Sequence, residues 1–147
     1  MIFKVALIVH VLSTIAWVGG VFMASWIDTR TLKNISKDNS FPFDFLIEQG
    51  RQIFPFVYFA IVAVLISGTI LTLNHLPAQT NQWLFWFAKW GALLIMTINT
   101  VFGTIVTWPK IQFSNDQSAW VLYKGYKIRA YITFLCGILA SVLGILS

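Results

Sequence analysis

The chain has 147 residues, of which 58% are hydrophobic and only 10% charged. A water-soluble domain carries about 25% charged residues, so this composition, with mean hydropathy +0.77, excludes an ordinary soluble enzyme and points to a membrane protein. The net charge of +5 does not indicate nucleic-acid binding, because the cations fall in loops between apolar runs rather than on one soluble face. Cys136 is the sole cysteine, which rules out an intrachain disulfide or a multi-cysteine zinc site. There is no Ser-His-acid set, no pair of carboxylates inside an apolar run and no glycine-rich phosphate loop. No internal repeat and no low-complexity segment is present.

A helix that crosses a bilayer needs roughly twenty apolar residues, and four stretches supply them: 5–26, 53–74, 84–108 and 130–146. None alternates in polarity as a barrel strand does. Backbone groups in lipid must be satisfied within their own segment, which leaves helices. The fold class is therefore all-α, a single-domain integral membrane four-helix bundle spanning residues 1–147. The first stretch has no small-x-small cleavage pattern and is expected as a retained helix rather than a signal peptide.

The first stretch carries the most informative stripe. His10 is followed seven positions later by Trp17, two helical turns on and on the same face, and Ser13 and Gly20 share that face. A polar, small-residue stripe on an otherwise apolar helix turns toward partner helices. The loop at 27–52 carries Arg30, Lys33, Lys37 and Arg51, with Asp28, Asp38, Asp44 and Glu48. Its second half, with Phe41, Phe43, Phe45 and Ile47, is amphipathic and predicts a short helix lying on the membrane surface. Pro55 is expected in the first turn of the second span, where a missing N–H is harmless.

Loop 75–83 holds no lysine or arginine, whereas loop 109–129 holds Lys110, Lys124, Lys127 and Arg129. Loops 27–52 and 109–129 lie on one side of a four-span bundle and hold eight of the ten cations. The positive-inside rule assigns that side to the cytoplasm and both termini to the non-cytoplasmic side. Trp26, Trp83, Trp86 and Trp108 fall at the predicted span ends and are expected as interfacial anchors. Trp17, at mid-span, is not.

Ionisable groups inside a span cost roughly 2.5–3.5 kcal/mol at mid-membrane. His10 and Lys89 are two such groups, and His75 ends the second span. The topology brings all three toward the non-cytoplasmic end, each on a different helix, and a bundle core is where cofactors and metals are held. The blander readings are a hydrogen-bonded packing role for His10, an interfacial position for His75 and a snorkelling Lys89. Small and hydroxyl residues recur on the other spans: Ala92, Met96, Asn99 or Thr100 and Gly103 beyond Lys89; Thr133, Cys136, Ala140 and Gly144 beyond Arg129; Gly68 and Thr72 before His75. Close helix packing accounts for such stripes, or they open room for a flat cofactor near Trp17.

His10 followed by Trp17-Val18-Gly19-Gly20, with Trp83 and Lys89 opening the third span, resembles the membrane domain of the CopD (copper resistance D) family. The same layout is similar to HemJ-type protoporphyrinogen oxidases. The resemblance covers the four-span arrangement and nearly the whole chain, and its specific positions are few. The HemJ-type likeness implies haem b held by a histidine of span one and a lysine of span three, positions matched by His10 and Lys89. It also implies a bacterial inner-membrane location, a membrane redox role and a porphyrin or redox partner. The CopD likeness implies copper handling.

Three functions follow. In the first, His10 with Lys89 or His75 clamps haem b, and Trp17 packs against it; lysine ligates only as the neutral amine. In the second, His10, Met96 and Cys136 form a stepwise copper path, imidazole suiting either copper state and the soft sulfurs Cu(I). Packing is the bland role of Met96 and Cys136. The third is a cofactor-free structural or assembly protein of the bilayer. A homo-oligomer paired through small-residue stripes is compatible with all three.

Overall fold

The computed structural model describes residues 2–35, 40–74 and 80–146. The chain forms α1 (Ile2–Ile35), α2 (Phe43–Asn74), α3 (Thr80–Phe102), a π-helical turn (Gly103–Thr107), α4 (Trp108–Gln112) and α5 (Asp116–Leu146), with no strand among the described residues. Four apolar helical stretches are long enough to cross a membrane, α3 doing so together with the turn and α4 that continue it. The chain is thus an all-α, four-helix, multi-pass bundle. Large apolar side chains such as Ile8, Leu12, Phe59, Ile66, Leu94 and Leu135 stand exposed around it, as a lipid-facing surface requires.

The helices outrun the sequence-based spans, and two expectations are corrected. The second half of the 27–52 loop is not a separate surface helix. From Phe43 it is the start of α2, which runs unbroken past Pro55. Pro55 therefore sits in a helix interior, where it withholds a donor from the preceding turn. The 109–129 loop shrinks to three residues between α4 and α5. Asn115 caps α5, its Oδ1 accepting the Ser118 N–H at 2.9 Å, and Asp116 lies in the first turn beside the helix dipole.

The π turn has a local cause. Pro109 has no N–H to give Ile105 and its ring crowds that carbonyl. The register slips by one residue, and the Trp108 N–H reaches back to the Gly103 carbonyl. Hydroxyls along the helices satisfy themselves on their own backbone, as Ser25 does on Val21 and Thr97 on Leu93 at 2.9 Å each.

α1 packs on α2 and α3 on α5, and α5 also lies against α1. The α1 residues that face inward are Ala6, Trp17, Ser25, Asp28 and Leu32, the stripe that steps of three, four and seven predict. Two cores result. One surrounds Trp17 with Val57, Ala60, Ile61, Val64 and Met96. The other, at the loop-rich end, joins Leu32, Phe41, Leu46, Trp108, Ile111, Ala119 and Tyr123. Trp108 is only 6% exposed, which corrects its assignment as an interfacial anchor. Trp83 stands exposed at the start of its span, as expected, whereas Trp26 is exposed six residues inside the end of its span at Leu32. Trp86 is half-buried within an aromatic group with Trp83, Phe87 and Trp90.

Candidate functional site

His10 lies two turns from Trp17 toward the opposite end, beyond the Trp17 core. Buried side chains are sparse there: among the described residues beyond that core they are Ala6, Ser67 and Ala92. The imidazole is half-buried and turned onto α2. Its Nδ1 lies 3.1 Å from Ser67 Oγ, and its Cε1 rests over Gly68, where a Cβ would come within 3.2 Å. The glycine is therefore the seat of the ring.

A hydroxyl has one proton, and the Ala63 carbonyl lies 2.5 Å from Ser67 Oγ. With that proton given to Ala63, Oγ would accept from His10 Nδ1–H and Nε2 would keep the lone pair that a metal-ligating histidine needs. The Val64 carbonyl, a further acceptor, stands beside the same ring. Thr14 adds a bond from its hydroxyl to the His10 carbonyl at 2.8 Å, and helps hold the turn that carries the imidazole.

Lys89 is half-buried on α3 and within electrostatic reach of His10. His75, the third nitrogen in the sequence-based constellation, lies outside the described residues. Trp17 is fully buried in the core, and its Nε1 has no hydrogen-bond partner among the described residues. It floors the His10 end rather than lining an opening. Met96 is buried in the same core and Cys136 packs against it from α5. The copper set His10, Met96 and Cys136 is thus one imidazole above two side chains embedded in close packing. No group of three His, Cys, Asp or Glu side chains that could hold a metal occurs among the described residues.

Sequence reasoning missed the polar features of the other half. Asp28, read as a loop residue, is a buried α1 residue, 3% exposed. Its Oδ2 accepts the Tyr123 hydroxyl at 2.8 Å. Arg129, read as a cation of the 109–129 loop, reaches inward, donating to Thr107 Oγ1 at 2.6 Å and covering the Phe102 ring at 4.3 Å. Lys127 donates to Thr29 Oγ1 at 3.3 Å. Tyr58 and Thr104 share a hydroxyl bond between α2 and the π turn. The missed signal was phase: Asp28 lies eleven residues beyond Trp17, about three helical turns, on the same face.

Compared with protein-family models, with curated proteins and with solved structures, the chain matches none.

Proposed function

We propose that the chain is a haem b protein of the membrane, with His10 as an axial ligand through Nε2 and Lys89 as the candidate second ligand, serving a redox role of the protoporphyrinogen-oxidase kind. One observation carries the reading: the imidazole is anchored on α2, with Nδ1 3.1 Å from Ser67 Oγ and Cε1 seated on Gly68, an arrangement compatible with an unprotonated Nε2. Bound haem would supply one-electron chemistry, tuned by the axial ligands and burial. Ser67 orients the ring, Gly68 gives it room, and Trp17 closes the space below. The resemblance to HemJ-type proteins supports the same residues. The cation distribution supports an orientation with this end on the non-cytoplasmic face of a bacterial inner membrane.

A second reading, copper handling, draws on the sulfur atoms of Met96 and Cys136. Both side chains belong to one cluster, so soft ligands stand together beneath the imidazole. The visible spectrum of the protein purified in mild detergent, with a dithionite-reduced difference, separates the two. The expected result is a haem Soret band in the native chain and none in His10→Ala. Ser67→Ala keeps the ligand but removes its Nδ1 anchor, and lower haem occupancy is expected; losses of 10–100-fold in affinity are typical for such supporting partners. Lys89→Met is expected to shift the spectrum. A colourless protein that binds Cu(I) replaces the haem reading with the copper one, and full occupancy in His10→Ala removes His10 from either.

A further inference from the structure

The half of the bundle opposite His10 contains a small chamber of about 40 Å³, mostly apolar in lining, whose polar lining residues include Ser25, Asp28, Gln49, Thr100, Thr104 and Tyr126. That is room for about one water-sized particle and too little for an organic ligand. Two of its oxygens are buried without a hydrogen-bond partner among the described residues: Asp28 Oδ1 and Thr100 Oγ1. Buried polar atoms are nearly always satisfied, so two on one chamber require an account.

The charges around the carboxylate narrow it. Oδ2 is held by Tyr123. The Gln49 amide stands alongside the carboxylate but closes no bond to Oδ1. Lys127, within electrostatic reach, spends its bond on Thr29 and lies over the Tyr123 ring. Arg129 is engaged with Thr107 and Phe102. Among the described residues the one ion pair is Arg51 with Glu48, on the surface. A neutral water in the chamber would bond Oδ1 and leave Lys127, spent on Thr29, as the facing cation, whereas a cation in the chamber would meet the buried charge directly. The donors are all oxygens, hard ligands that suit hard cations, and a single carboxylate suits one positive charge rather than two. The chamber also abuts the π turn, a site of irregular backbone of the kind found at functional positions.

We propose that this chamber binds one small monovalent cation, with sodium as the probe, between Asp28 Oδ1 on α1 and Thr100 Oγ1 on α3. The site is independent of the haem reading and lies in the other half of the molecule. It would tie α1 to α3.

The test is thermal unfolding of the full chain in detergent while NaCl replaces choline chloride at fixed ionic strength. A saturable rise of about 3–6 °C is expected at tenfold excess over the dissociation constant. Asp28→Asn keeps an acceptor for Tyr123 but loses the charge, and the sodium-dependent rise should vanish. Thr100→Val should raise the half-saturating sodium concentration several-fold and provides the readout if Asp28→Asn does not fold. A native chain indifferent to sodium, or a sodium response retained in both variants, overturns the proposal.

Discussion

A side chain in an apolar helix is judged by what its polar atoms can reach, and glycines by what would meet a side chain there. At Gly137 an added Cβ would lie 2.5 Å from Val18 Cγ2, whereas at Gly20 nothing stands within 4 Å. Gly20 sits on the small-residue stripe read from the sequence and Gly137 does not belong to any stripe read there, yet Gly137 is a contact between α1 and α5 and Gly20 is open space. Gly137→Ala is therefore expected to destabilise by about 1–3 kcal/mol through overpacking. Gly20→Ala should be neutral or slightly favourable through helix propensity. Detergent unfolding curves of the two variants check this; equal effects would deny the close approach at Gly137. The stripe rule named Gly20 and passed over Gly137, because spacing selects a helix face and carries no information on how near the next helix comes.

At the scale of the element, the third span shows how one residue type redirects a helix. Pro109 cannot donate, the π turn absorbs the mismatch, and Trp108 is carried inward against Gly50, Phe54 and Tyr126. Its indole takes the space that a Cβ at Gly50 would invade, 2.8 Å from Cζ2. Trp108→Ala should cost about 3–5 kcal/mol, as deletion of a buried large aromatic does, and Trp83→Ala, on an exposed ring, far less. Similar losses in the two would mean that Trp108 lies at the membrane surface, as its place in the sequence implied. Proline and tryptophan adjacent at a span end read equally well as a stop signal and an anchor. Only the register slip, a property of the folded backbone, turns the ring into the core.

For the whole molecule, packing is uneven. The loop-rich end has an aromatic core and buried or half-buried polar pairs, Asp28 with Tyr123, Lys127 with Thr29 and Arg129 with Thr107. The His10 end has few buried side chains beyond Trp17. The candidate ligand therefore lies at the end with fewer buried side chains. The cation count predicts which end faces the cytoplasm. In a Cys136→Ala background, cysteines placed at Lys37 and Gln117 should react with a membrane-impermeant thiol reagent only in opened cells, and one at Ala78 in intact cells. The reverse pattern would invert the orientation and place His10 on the cytoplasmic side.

The sequence by itself determined the four apolar crossings, the all-helical class and the inward stripe of α1, because bilayer thickness and helical period act on composition alone. It also singled out His10 and Trp17 by spacing. The tertiary structure decided which atoms those residues meet: Ser67 and Gly68 sit 57 and 58 positions from His10 in the chain, and the anchor of Nδ1 depends on where α2 places one hydroxyl. Asp28 was hidden for the same reason. A carboxylate two residues past an apolar run reads as loop until the helix is seen to continue and a tyrosine of α5 arrives to bond it. Periodicity is a property of one segment, whereas a site is made by the approach of several.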